Sequence, residues 1–212
     1  MAIKFYYVPM SSSTRVHWAL EETGVPYEKV KLSFDAGDLK KPEFLAINPN
    51  GKVPALVDGD AKIFESLAII MHLGDRYGEK SGVWPKADSP ARGEAYAWTV
   101  WGTVNLIQPT LDRLTHASDH RMALPKEKRS QEIADKALAT WNKEAAVLDR
   151  HLAGRDYTLG SAFTLVDVAN ASVFGMGAMM AGMPVGDHKN VAAWLSRCQM
   201  RPAMGRVMSE QR

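Results

Sequence analysis

Three short segments carry side chains suited to chemistry on an extended, charged small molecule. The run Ser11-Ser12-Ser13 lies where a strand pattern gives way to a helical one. A hydroxyl there sits in the positive field of a helix N-terminus, which favours a developing anion. Donated to a bound thiolate, it would lower that thiol's pKa. The second segment is Asn48-Pro49-Asn50-Gly51-Lys52-Val53-Pro54-Ala55-Leu56. Pro54 stands at a strand entry, where its missing N–H costs no ladder hydrogen bond. With a cis Val53-Pro54 bond, the N–H and C=O of Val53 would be left for an extended ligand to pair with as an added strand. The third segment is Glu65-Ser66. Ser66 opens a helix, so its hydroxyl and the nearby N–H groups suit a carboxylate, and Glu65 suits an ammonium. Together they match the two ends of an amino-acid zwitterion. Each segment alone also fits an ordinary cap or turn, since capping needs one serine and Pro-Gly punctuation is common.

The elements that must hold these groups alternate through the first third of the chain. Ile3 to Val8 is rich in β-formers, and Val16, Ala19 and Leu20 then share a helical face until Gly24. Val30, Leu32 and Phe34 alternate with Lys29, Lys31 and Ser33, the pattern of a half-buried strand. This βαβ unit should have parallel strands and a right-handed crossover. A short helix is expected from Pro42 to Ile47, then strands over Val53–Val57 and Lys62–Phe64, joined at Asp58-Gly59-Asp60. A helix over Ser66–Tyr77 follows, with Leu67, Ile70, Met71 and Leu73 inward. The order βαβ then ββα is that of a thioredoxin-like domain.

Beyond a stretch rich in glycine, proline and mixed charge, only helical patterns remain. Val100, Val104, Ile107, Leu111 and Leu114 mark one face of a long helix, which Pro109 should kink. Ile133, Ala137, Trp141, Ala145, Leu148 and Leu152 mark a second; a third begins near Thr164, and a fourth carries Val191, Trp194, Leu195 and Cys198. The expected fold is therefore α/β plus all-α. It comprises a thioredoxin-like domain over 1–78, a linker over 79–90 and an all-helical bundle over 91–212.

Composition narrows the chemistry. A net charge of +2 over 212 residues gives no footprint for nucleic acid. No apolar run approaches the roughly 20 residues of a membrane span. Met1-Ala2-Ile3-Lys4-Phe5 does not open a charged leader with a long apolar segment, so no signal peptide is expected. Cys198 is the only cysteine, which rules out an internal disulfide, a Cys-x-x-Cys pair and a cysteine-based zinc site. His116 and His120, four apart, lack a third ligand nearby, and no metal is expected.

The order Tyr6-Tyr7-x-Pro9-x-Ser11, then Asn48 to Leu56, then Glu65-Ser66, resembles the cytosolic glutathione transferases, especially their bacterial members. Phe163-Thr164-Leu165-Val166-Asp167-Val168-Ala169 is similar to the capping box of the family's helical domain, and the likeness spans essentially the whole chain. The resemblance implies a cytoplasmic homodimer that uses glutathione as substrate or cofactor, with no metal, in detoxification of apolar electrophiles. Val53, followed by Pro54, would pair with the cysteinyl part of glutathione. Glu65 and Ser66 would hold the γ-glutamyl end, and Lys52 a carboxylate. Ser11 corresponds best to the activating serine, with Ser12 next and Ser13 as a cap. Tyr6 and Tyr7 are early tyrosines, adjacent within the strand, so at least one belongs to the core. Members with cysteine at the first turn can exchange thiols; with serine here, glutathione's own sulfur is the expected nucleophile. The electrophile is expected beside the first turn and the helical domain, with Trp101, Thr103, Asn105, Met176, Met179, Met180 and Met183 as candidates, although core packing also explains the methionines. Two other readings stay open: a non-catalytic glutathione or ligand carrier, and a glutathione-dependent isomerase of the maleylacetoacetate isomerase type.

Overall fold

The computed structural model describes residues 2–210. Two compact units emerge, one built from 2–92 with 200–210 and the other from 93–199.

The first unit is built on a four-stranded sheet. Strands β1 (Ile3–Tyr7), β2 (Tyr27–Lys31), β3 (Ala55–Asp58) and β4 (Ala61–Phe64) lie in the order β2-β1-β3-β4. β1 and β2 are parallel, as a helical crossover requires, and the remaining pairs are antiparallel. The crossover is α1 (Ser13–Thr23); α2 (Pro42–Leu45) and α3 (Ser66–Leu73) complete the first 73 residues. Alternation along β1 sorts its rings between two faces. Phe5 stacks with Tyr7 and reaches His17 of α1, while Tyr6 meets Phe44 of α2. On the α1 side Phe5, Val16, Leu20, Ile69, Ile70 and Leu73 are wholly buried, each worth about 1.5–3 kcal/mol by transfer from water.

Several boundaries differ from those expected; the strand expected over Val53–Val57 begins at Ala55, after the Val53-Pro54 entry. β2 stops at Lys31, and Phe34 is exposed, because the Ser33 N–H turns to the Asp38 carboxylate at 2.9 Å. The helix expected over Ser66–Tyr77 changes at Leu73 into a π-helical turn, Gly74–Gly78. Gly74 lies against the Trp84 indole, where a Cβ would stand 2.5 Å from the ring. A further helix, α8 (Pro202–Ser209), closes on α1; residues grouped above with the bundle thus belong to the first unit.

The second unit holds α4 (Ala91–Ala117), α5 (Gln131–His151), α6 (Leu165–Ala181) and α7 (Lys189–Gln199). α4 runs through Pro109 without ending. Its buried face is Ala95, Thr99, Gly102, Leu106, Pro109, Thr110 and Leu114, not the Val100–Val104 stripe, which is exposed at 38% and 67%. Small residues won that face because Asn170 of α6 approaches closely and donates to the Trp98 carbonyl at 3.0 Å. Ile133 is likewise exposed, and Ala134 takes its place.

Trp141, Phe174 and Trp194 stack edge to face through the core of this unit. The capping box at Thr164 is formed. Its Asp167 is fully buried and accepts from Thr158 N–H and hydroxyl, Thr164 N–H and the Trp194 indole at 2.7–2.8 Å. Burial still pushes this carboxyl's pKa up against those bonds.

Candidate functional site

Sheet register gathers the three chemical segments. Tyr6 pairs with Ala55, and Ala55 with Phe64. β1 therefore ends, β3 begins and β4 ends at the same margin of the sheet. The turn with Ser11 and Ser12, the entry Lys52-Val53-Pro54 and the exit Glu65-Ser66 all leave the sheet from it.

At the first turn the three serines have separate tasks. Ser11 Oγ donates to the Val8 carbonyl at 2.7 Å, lies 2.9 Å from Ser13 Oγ and accepts the Ser13 N–H at 3.1 Å. It does the work of the cap expected of Ser13, which is itself buried inside α1. Ser12 occupies the N-cap position with an exposed side chain, and its hydroxyl donates to the Val53 carbonyl at 3.1 Å. Arg15, three residues on, is buried; desolvation brings its guanidinium down to about 10, so it stays charged at neutral pH.

The Val53-Pro54 bond is cis. Asn48, buried, arranges the loop before it: its amide donates to the Lys52 carbonyl at 2.6 Å, and its oxygen accepts the Asn50 N–H at 3.0 Å. Gly51 has φ 57°, and a Cβ there would stand 2.8 Å from the Leu39 carbonyl oxygen, so only glycine fits. Val53 is half-buried, and its N–H makes no hydrogen bond among the described residues. Lys52 is exposed. Sequence reasoning missed Lys40, whose ammonium lies 3.1 Å from the point a Gly51 Cβ would occupy. Neither lysine pairs with a carboxylate among the described residues, whereas Lys41 is held by Asp38 at 2.7 Å.

Glu65 is exposed and adopts φ 66°, ψ 117°, a conformation rare for a residue with a side chain. Such a residue costs on the order of 1–3 kcal/mol, and its neighbours must hold it. Here the Ala55–Phe64 pairing fixes one side, and the Ile69 N–H bond to the Glu65 carbonyl at 3.0 Å fixes the other. Ser66, half-buried, follows as the first residue of α3. Met10, just before the serines, is the other residue with a side chain at positive φ (52°) among those described.

The comparisons with known proteins concern the chain as a whole. Residues 1–75 match the family model "Glutathione S-transferase, N-terminal domain", and residues 112–202 match "Glutathione S-transferase, C-terminal domain". Glutathione S-transferase GstB of Escherichia coli K12 is 32% identical over 92% of this chain and 91% of its own. Glutathione S-transferase 3 of Zea mays is 30% identical over 98% of this chain and 93% of its own. The chain belongs to the glutathione S-transferase family. A glutathione transferase from Burkholderia graminis, crystallised with two glutathione molecules bound per subunit, matches with 28% identity and a TM-score of 0.82 over 98% of this chain and 88% of that one. A glutathione transferase family member from Pseudomonas fluorescens, also with two glutathione bound, gives 27% and 0.82 over 98% and 92%. Among these relatives the transferase reading stands ahead of the carrier and isomerase readings.

In this glutathione S-transferase family member the electrophile candidates fall in the second unit. Trp101 is half-buried on α4, edge-on to Trp98, and the Asn105 amide is turned back onto the Trp101 carbonyl at 2.8 Å. Met176 and Met180 are half-buried on α6, Met179 is exposed, and Met183 belongs to the core. A cavity of about 360 Å³ in this unit is lined by Leu152, Arg155, Asn190 and Arg197 and by none of the candidates. His116 accepts the N–H of Ser130, the residue before α5, and His120 the Met122 N–H within a local turn. Among the described residues no three His, Cys, Asp or Glu groups cluster as metal ligands, and no helix is long and apolar enough to cross a membrane.

Proposed function

We propose that this transferase activates the glutathione thiol through Ser12 and directs the thiolate at an apolar electrophile. One observation carries the reading: an exposed hydroxyl at the start of α1 lies 3.1 Å from the carbonyl of Val53, the residue whose free N–H would receive an added strand. Ser11 has its hydroxyl committed to Val8 and Ser13, which supports moving the activating role one residue along. In this reading the cysteinyl backbone pairs with Val53 ahead of Pro54. Glu65 takes the γ-glutamyl ammonium and Ser66 its carboxylate. Lys52 and Lys40 face the glycyl carboxylate.

The thiol proton leaves to solvent, and the thiolate is held by the Ser12 hydroxyl and the α1 field. Its electron pair forms the carbon–sulfur bond while the leaving group departs with the pair it held. A preorganised donor of this kind is worth about 10²–10³ in rate. Trp101, Asn105 and Met176 are the proposed contacts of the electrophile.

We read the working form as a homodimer in the cytoplasm with a role in detoxification. The exposed Val100 and Val104, one turn apart on α4, support a second copy, and the lone buried cysteine suits a reducing compartment. Calorimetry with glutathione, then turnover of a generic aryl halide, tests the reading. Saturable heat and a rate above background are expected; absence of heat at millimolar glutathione sinks it.

A further inference from the structure

We propose that the Val53 carbonyl parks the Ser12 proton until a peptide backbone displaces it, so that thiol activation depends on docking of the tripeptide. The inference rests on the transferase reading above and specifies how its site selects among thiols.

A serine hydroxyl carries one proton and can donate it to one strong acceptor at a time. In this structure that acceptor is the Val53 oxygen, 3.1 Å away. The neighbouring Ser11 cannot stand in, because its own proton goes to Val8. A hydroxyl still donating to Val53 does nothing for a sulfur beside it. The exchange needs only rotation of the exposed Ser12 side chain, since the α1 backbone already has helical geometry there (φ −59°, ψ −11°).

Docking supplies the replacement. An extended cysteinyl residue paired with Val53 donates its N–H to the Val53 carbonyl and accepts the Val53 N–H, which has no partner among the described residues. The carbonyl keeps a donor, and Ser12 turns to the sulfur. Thiols that bring no peptide N–H leave Ser12 where it is and gain nothing from its hydroxyl. Selection is thus made at ionisation as well as at binding.

S-methylglutathione separates the two halves of the exchange, because its thioether is a weak acceptor and cannot reward the turned hydroxyl. Calorimetry would compare wild type, Ser12→Ala, Ser12→Gly and Ser12→Thr with S-methylglutathione and with glutathione. The alanine and glycine variants, having no parked proton to displace, should bind S-methylglutathione about three- to tenfold more tightly than wild type. Ser12→Thr should return to the wild-type value. Both hydroxyl-free variants should also lose the thiolate absorbance of bound glutathione near neutral pH. If either folded variant binds S-methylglutathione no better than wild type, the parking model is overturned while the transferase reading survives. If wild type binds neither ligand, the transferase reading itself has failed.

Discussion

The Arg201 guanidinium grips the Glu22 carboxylate with two parallel bonds of 2.7 Å, joining residues 179 apart in sequence. The Trp18 indole donates to the same carboxylate at 2.9 Å. Glu22's side chain is only 5% exposed, so losing the arginine strands a desolvated charge. Arg201→Met should cost about 2 kcal/mol, less than a fully buried pair because Arg201 is partly solvated. Arg206 meets Glu21 through a single 2.7 Å bond and from solvent, and Arg206→Met should cost well under 1 kcal/mol. Urea denaturation of both variants checks the contrast, and equal losses would refute it.

Ser11 and Ser12 should fail differently. Ser12→Ala is expected to lower kcat/KM by about 10²-fold with little change in melting. Ser11→Ala removes the cap on the Ser13 N–H and should cost about 1 kcal/mol of stability while retaining most turnover. Turnover and thermal melts of the two variants decide the assignment; a rate collapse confined to Ser11→Ala would restore the order read from sequence.

Glu65 sets binding against stability. Glycine adopts positive φ without penalty, so Glu65→Gly should raise stability by about 1 kcal/mol while weakening glutathione binding. Glu65→Gln keeps the strain and removes the charge, and should weaken binding about tenfold without raising the melting temperature. Paired melts and calorimetry measure both effects.

The His17 ring lies among Phe5, Tyr7 and Tyr27, and neither ring nitrogen makes a hydrogen bond among the described residues. Burial pulls its pKa below 6.5; Glu210, 3.7 Å away, and Glu21 oppose that shift, and Lys29 reinforces it. A base with a depressed folded-state pKa binds fewer protons folded than unfolded. Its contribution is therefore intact above about pH 6.5 and is lost as pH falls from there through the folded value. Urea midpoints at about pH 7.5 and about pH 5.5 should converge in His17→Phe relative to wild type. An unchanged gap would exclude His17 as a source of the pH dependence.

The βαβ-ββα order was legible because Ile3 to Val8, Val16 to Leu20 and the Asp58-Gly59 turn each obey a local period or turn rule. The segments Asn48–Leu56 and Glu65-Ser66 were legible as motifs. Their convergence depends on the Tyr6–Ala55–Phe64 register, which is a long-range pairing. Choosing between Ser11 and Ser12 turns on which hydroxyl faces Val8 and which faces Val53, and neighbouring serines carry no such information in sequence. The α4 face was misread because periodicity counts valines, whereas close packing with Asn170 rewarded Thr99 and Gly102. α8 escaped notice because its two buried residues, Ala203 and Val207, leave almost no apolar stripe; Pro202 at its first turn was the usable signal.

A protein made from its N-terminus onward cannot finish this first unit in order. α1 leaves the ribosome well before its covering helix, Pro202–Ser209, which lies beyond the whole of 93–199 in sequence. Until then Glu22 lacks Arg201 and α1 lacks α8, and the unit must wait, incompletely covered, while all of 93–199 is translated. Truncation upstream of residue 200 would therefore injure the N-terminal unit, far in sequence from the lesion.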